Sequence, residues 1–358
     1  MNVRHPESSR TAFWKSRRVL VTGATGMLGS WLVKELVSLK AQVVALVADA
    51  DPQSEFYRGD SHLRVSVVNG RLEDFWAVER AINEHEVQVV FHLGAQTIVG
   101  TGQRFPLPTF EANIRGTYNL LEACRVHPTL VDRIVVASSD KAYGEQLVLP
   151  YTEDMPLNAR SPYDLSKSCA DLLAQCYHVT YGLPVGVARC GNIYGGGDLN
   201  WSRIVPSTIR AFVLGERPAI RSDGTNTRDY FYVRDAAHAY MTLAEHLDDP
   251  AIHGQAFNFG TGSPLTVLEL VRMLQGLMGC EHLEPDIRNT ATGEIRAQHL
   301  SSAKAHRMLG WRPEFDLHRG LLETIEWYRR FFGAEPGSER DGAGVALTEA
   351  GASGKAVR

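Results

Sequence analysis

The segment 19-VLVTGATGMLGSWLVKEL-36 sets a short apolar run against three glycines and then an amphipathic stretch. Gly23, Gly26 and Gly29 follow the run and open the helical spacing. With no side chain at such a turn, an anion can approach the backbone N–H groups of the helix N-terminus, where a Cβ would intrude. The pattern predicts a dinucleotide cradle, with Thr25, Met27 and Leu28 along its wall; glycines used for tight packing alone are the plainer alternative. An acidic side chain about 20 residues on should bond the adenosine ribose. Asp49, after AQVVALVA, stands there and favours NAD over NADP, since a 2′-phosphate beside it would be repelled.

Further apolar runs, AQVVALVA, LRVSVVNG, VQVVFHLGA, RIVVASS and LPVGVARCG, alternate with GSWLVKELVSL, DFWAVERAINEHE, TYNLLEACRVH and YDLSKSCADLLAQCYHVTYG, which carry helical spacing. The runs read as strands buried on both faces, and the alternation implies a doubly wound parallel sheet. The expected fold class is α/β, a Rossmann-type sheet over residues 13–188. After about residue 190 the alternation weakens. Short strands (PAIRS, AFNFG) and helices (IVPSTIRAFVLG, VLELVRMLQGLMG, GLLETIEWYRRFF) predict a smaller interwoven α/β substrate domain. It would take residues 189–228 and 259–333, with 229–258 returning to the first domain. Residues 1–12 read as a flexible polar tail, and 334–358, rich in Gly, Ala and charge, as disordered.

The 358 residues suffice for a large core, and 44% apolar with 22% charged is ordinary for a soluble globular chain. A net charge of −4 supplies no basic field, which argues against nucleic acid and anionic lipid as partners. No run of about 18 apolar residues predicts a membrane span. The start, MNVRHPESSRTAFWKSRR, lacks the apolar centre of a secretory signal. The five cysteines form no Cys-x-x-Cys pair, so reduced thiols in a cytoplasmic protein are expected and no metal site is indicated.

In 162-PYDLSKSCADLL-173, Tyr163 and Lys167 stand four apart, so phenol and ammonium share one helix face. Such pairs are common on any helix surface. Where they converge beside a nicotinamide, the tyrosine pKa should fall toward neutrality, and a tyrosinate can take the proton of a sugar hydroxyl. Together with the G-x-x-G-x-x-G spacing, the pair makes the chain resemble the extended short-chain dehydrogenase/reductase superfamily, the nucleotide-sugar epimerases and dehydratases, from about residue 13 to 332. The resemblance implies NAD as cofactor. It places Leu93, Ala95 and Gln96 of 91-FHLGAQ-96 along that cofactor, Gln96 also reaching the substrate, with Gly94 where alanine is usual. It makes Asn113 the asparagine that steadies the active-site backbone. In 69-NGRLED-74, Arg71, beside Leu72, replaces an aspartate that contacts adenine in relatives. Arginine cannot accept a hydrogen bond, so adenine recognition must differ there.

The stretch 133-RIVVASSDKAYGE-145 ends an apolar run in an acid and a base side by side. In the superfamily this segment faces the reacting sugar. Epimerases usually carry a small Ser/Thr-centred segment there, thymidine-linked hexose dehydratases Thr-Asp-Glu, and cytidine-linked glucose dehydratases Ser-Asp-Lys. The last is what Ser139, Asp140 and Lys141 spell. The resemblance implies that Ser139 bonds the C4 oxygen, Lys141 removes the C5 proton and Asp140 helps the C6 hydroxyl leave. Away from this fold, a surface Asp-Lys turn would be the plainer reading.

The run 189-RCGNIYGGGDLNWSRIVPSTIRA-211 also resembles the CDP-glucose 4,6-dehydratases. Asn192 would then bond phosphate or sugar and Arg203 would lie near the nucleotide. Arg228 would grip the diphosphate in a two-pronged contact, or pair with Asp229 or Asp235, and Arg296 would close over the nucleotide. The activity implied is an NAD-dependent nucleotide-sugar 4,6-dehydratase with a CDP-hexose favoured as substrate. A C4 epimerase, a related enzyme acting on a nucleoside or antibiotic sugar, and a non-enzymatic NAD sensor remain alternatives. Relatives pair through the helix bearing Tyr163 and the one before it, which implies a homodimer built on a four-helix bundle.

Overall fold

The computed structural model describes residues 7–291 and 294–333. In chain order, the first half runs α1 (Glu7–Trp14), β1 (Arg18–Thr22), α2 (Met27–Ser38), β2 (Gln42–Val47), α3 (Glu55–Arg58), β3 (Ser66–Asn69), α4 (Phe75–Glu84), β4 (Val89–His92), α5 (Val99–Arg104), α6 (Leu107–Phe110), α7 (Gly116–Val126), β5 (Arg133–Ala137), α8 (Pro162–Tyr181) and β6 (Val185–Cys190). The second half runs β7 (Asn192–Tyr194), α9 (Ile204–Val213), β8 (Ala219–Ile220), β9 (Thr227–Arg228), β10 (Tyr230–Tyr232), α10 (Val233–Glu245), β11 (Ala256–Phe259), β12 (Leu265–Thr266), α11 (Val267–Met278), β13 (Asp286–Ile287), β14 (Ala297–Gln298), α12 (Ala303–Leu309) and α13 (Leu317–Phe331).

Seven strands form one parallel sheet in the order β11-β6-β5-β4-β1-β2-β3. The order reverses direction between β1 and β4, and the crevice beyond the carboxyl ends of those strands is where open α/β sheets bind ligands. One face of the sheet packs on α2 and α10 through Leu32, Leu36, Val21, Phe91, Tyr240 and Leu243. The other packs on α4, α7 and α8 through Val78, Leu120, Leu121, Ile134, Val136 and Ala174. The central strands are buried on both faces, which is why they read as unbroken apolar runs.

A smaller lobe gathers α9, α11, α13 and the short strand pairs β7–β10, β9 with β12 and β14, and β8–β13. Its core holds Ile209, Phe212, Leu270, Leu274, Ile325 and Tyr328. The AFNFG run splits from that lobe, because Ala256–Phe259 is the seventh strand of the large sheet.

Two expectations are corrected. The second half of the expected tail, from Glu7 on, belongs to a helix, Glu7–Trp14: Trp14 is fully buried and its indole donates to Glu245, which also holds Arg10 at 2.7 Å. Residues 1–6 and 334–358 lie outside the described residues. LRVSVVNG is not buried on both faces; β3 is the sheet edge, with Ser66, Val67 and Asn69 exposed. Among the described residues no helix is long and apolar enough to cross a membrane.

Candidate active site

Gly23 has φ +71°, and a Cβ built on it would stand 2.8 Å from the backbone of Gly94 across the β1/β4 crevice. A Cβ on Gly29 would come 2.0 Å from the Gly23 carbonyl oxygen. Gly26 caps α2 with no side-chain bond, which leaves that helix end open to an anion. This cradle fits a pyrophosphate, and Asp49 is exposed two residues past the end of β2, the strand paired with β1, where a ribose could reach it. Gly94 has its own reason: a Cβ there would meet the Leu72 side chain at 2.8 Å and Thr22 Oγ1 at 3.1 Å. Arg71 is exposed and turned toward Glu73 at 3.2 Å. Thr25, Met27, Leu28, Leu93, Ala95 and Gln96 border the crevice, each partly buried.

Behind the crevice runs a closed hydrogen-bond chain that sequence reasoning missed. Gly94 N–H donates to Thr22 Oγ1 at 3.0 Å, and Thr22 lies 2.9 Å from His92 Nδ1. His92 Nε2 lies 3.0 Å from Thr117 Oγ1, whose own proton goes to the Asn113 carbonyl at 2.6 Å. Thr117 must therefore accept from Nε2–H. Burial, helped by the charge of Lys167, pushes the imidazole pKa down to about 3, and in the neutral ring that results Nδ1 accepts from Thr22. Asn113 sits in a π-helical turn, Glu111–Arg115, and is buried.

Helix α8 begins at Ser161, which accepts from the Asp164 N–H at 3.4 Å, has Pro162 in its first turn, and stops at Gly182 with φ +71°. These ends set Tyr163 and Lys167 against the carboxyl end of β5. Lys167 Nζ donates to the Ala137 carbonyl at 2.9 Å, and Ser168 to that of Ala142 at 3.0 Å. Burial lowers the Lys167 pKa to about 8. The expected fall of the Tyr163 pKa is not seen in the protein alone: burial pushes it up to about 12, and the opposing influences are Arg203 and Ser139 rather than Lys167. One of the three N–H groups of that ammonium is taken by the Ala137 carbonyl.

Ser139, Asp140 and Lys141 form the start of a 3₁₀ turn, Asp140–Tyr143, directly beyond β5. Ser139 Oγ accepts from the Lys141 N–H at 3.2 Å and donates to Asp140 Oδ1 at 3.0 Å. Asp140 is buried and its Oδ2 has no partner. Desolvation lowers the Lys141 pKa, against the pull of Asp140. Asp164, also unforeseen, faces Lys141 and Asp140, and burial raises its pKa. The turn is anchored from behind, where the Tyr143 hydroxyl meets Asn258 at 2.7 Å and Arg189 at 2.8 Å, and Arg189 forms a buried pair with Asp171 at 2.7 Å.

The small lobe closes the other side. Arg203 pairs with Asp198 at 3.0 Å and lies within electrostatic range of Tyr163. Arg228 pairs with neither Asp229 nor Asp235, which bond backbone N–H groups of residues 261–262 and 314–315. It faces Glu294 at 3.9 Å and its charge reaches Lys141. Asn192 presents a buried Nδ2 without a partner, and Arg296 is exposed at the entry to β14.

Residues 19–260 match the NAD dependent epimerase/dehydratase family. The chain belongs to that family. NAD is therefore its cofactor class, and the glycine turn leaves its helix end free of side chains, as a pyrophosphate requires. Within the family the chain is 29% identical to a CDP-glucose 4,6-dehydratase of Salmonella typhimurium, over 90% of this chain and 93% of that one. It is 31% identical to a UDP-glucose 4-epimerase of Mycolicibacterium smegmatis, over 87% of this chain and 98% of that one. A dTDP-glucose 4,6-dehydratase from Bacillus anthracis, solved in complex with NAD, superposes with a TM-score of 0.79 at 26% identity, covering 88% of this chain and 97% of that one. Family membership makes the chain an enzyme on the dehydratase/epimerase scaffold.

Proposed function

We propose that the chain is an NAD-dependent nucleotide-sugar 4,6-dehydratase acting on a CDP-hexose and releasing a 4-keto-6-deoxy sugar nucleotide. The observation that carries the reading is the turn beyond β5, which brings a desolvated amine and a buried, half-partnered carboxyl to the same crevice as Tyr163. An epimerase has no elimination step and no use for that pair.

When bound, NAD supplies the redox chemistry, accepting the hydride lost at C4 and returning it at C6. Gly23, Gly26, Gly29 and Asp49 would hold it, with Asn113 fixing the loop of Gln96 beside it. Tyr163 takes the C4 hydroxyl proton while Ser139 bonds the same oxygen. The resulting ketone acidifies C5–H, and Lys141 removes that proton. Asp140 gives a proton to the C6 hydroxyl, which leaves as water, and Lys141 returns its proton to C5. The proton taken by Tyr163 replaces the one given by Asp140, so one water is the net loss. Arg228, Arg296, Asn192 and Arg203 would bind the nucleotide diphosphate side.

A homodimer in the cytoplasm completes the reading. Leu165, Leu172 and Val179 are exposed on α8 at sevenfold spacing, beside exposed Tyr118 and Val126 of α7. A second copy laid on these helices would cover the stripe. The competing reading, a C4 epimerase, draws on the 31% identity to the M. smegmatis enzyme. Incubation with CDP-, UDP-, GDP- and dTDP-hexoses, read by mass, separates them: loss of one water supports the dehydratase, and an unchanged mass with inverted C4 overturns it.

A further inference from the structure

Gln298, the last residue of β14, is fully buried. Its Oε1 accepts a hydrogen bond from Lys141 Nζ. An amine that is to take the C5 proton must keep its lone pair free for it and meet the amide through an N–H, which an amide oxygen accepts. The other amide atom, Nε2, is buried and makes no well-formed hydrogen bond; the amide's neighbour is the Tyr151 hydroxyl, which itself donates to the Gly144 carbonyl at 2.9 Å. A buried N–H group left unbonded is costly, and such groups mark places where a ligand or water belongs. β14 lies parallel to β9 with Gln298 opposite Arg228. The strand is pinned next to the catalytic turn, since Tyr151 N donates to the His299 carbonyl and Ser301 N to that of Tyr151, both at 2.9 Å.

We infer that Gln298 is the positioning residue of the Lys141 base, with its spare amide N–H donating to an oxygen of the bound hexose. This rests on the dehydratase reading. A lysine side chain has many rotamers, and an abstracting amine must hold one geometry against C5. A neutral amide oxygen holds the amine in place without stabilising its charge as a carboxylate would. The charged groups around that amine are Asp140, Arg228, Asp164 and Glu294, so a neutral contact leaves their balance intact.

The test compares wild type with Gln298→Leu, Gln298→Glu and Gln298→Asn. Trace acylation of Lys141 by acetic anhydride across a pH series, read by mass spectrometry on the full chain, reports the amine without any substrate. Gln298→Glu should move the labelling midpoint up by about one pH unit or more, and Gln298→Leu should not raise it. Midpoints identical in all four proteins would overturn the inference. With CDP-glucose in D₂O, Gln298→Leu should slow deuterium entry at C5 by about a hundredfold while C4 oxidation survives. Gln298→Asn, one methylene short, should recover part of the rate. Wild-type exchange in Gln298→Leu would also overturn the inference. Wild type that turns CDP-glucose over without losing water sinks the dehydratase reading instead, and the labelling midpoints still judge Gln298.

Discussion

The amide of Asn113 closes on both backbone groups of Gln96: Oδ1 accepts from the N–H at 2.7 Å and Nδ2 donates to the carbonyl at 3.0 Å. Nδ2 also reaches Ser166 Oγ at 2.8 Å, and Ser166 donates to the Tyr163 carbonyl at 2.7 Å. One side chain thus ties the loop after β4 to the helix that carries the phenol. Asn113→Leu strands the partly buried Gln96 groups and should cost about 1–3 kcal/mol in urea unfolding. It should lower kcat more than it raises KM. A variant with wild-type stability and kcat would contradict this role.

His92 makes stability depend on acid. Its folded pKa of about 3 lies below the ordinary 6.5, so the unfolded chain binds more protons between those values. The stabilisation is complete above pH 6.5 and is lost as pH falls toward 3, by on the order of several kcal/mol. His92→Asn should flatten that part of the stability profile in denaturation at stepped pH. An unchanged acid limb would assign it to other groups.

Gly29 leaves no room for a side chain. Gly29→Val forces a Cβ into the Gly23 carbonyl, so the turn must open, at about 1–3 kcal/mol in stability. Calorimetric titration with NAD should show affinity reduced tenfold or more. Undiminished NAD binding would place the cofactor elsewhere.

Tyr163→Phe should lower turnover by a factor of about 10²–10⁴, while NAD binding measured by calorimetry persists. Because burial holds the phenol pKa near 12 in the protein alone, the rate should rise with pH, and the limb should move to lower pH when cofactor charge is bound beside it. A variant that keeps wild-type turnover would remove Tyr163 from the chemistry.

The central strands β1, β4, β5 and β6 were readable because parallel strands buried on both faces are mostly apolar, and each of these carries an apolar run of three residues or more. The edge strand β3 misled for the converse reason, since Val67 and Val68 keep strand chemistry without burial on both sides. Helix α1 was missed because its sequence carries one anchor, Trp14, whose partner Glu245 lies 231 residues away. Motif spacing located the glycine cradle, Tyr163, Lys167 and the Ser-Asp-Lys turn. It could not locate Gln298, whose strand is two residues long and meets Lys141 through tertiary packing alone. Nor could it foresee that Lys167 would bond Ala137 and leave the Tyr163 pKa to burial.

The sharpest measurement follows one hexose nucleotide through wild type and Lys141→Ala in D₂O, with product mass and C5 deuterium recorded together. Wild type should yield a keto sugar lighter by one water and deuterated at C5, and Lys141→Ala should oxidise C4 yet neither exchange C5 nor release water. Full dehydration by Lys141→Ala, or a wild-type product of unchanged mass, would contradict the role given to the turn beyond β5.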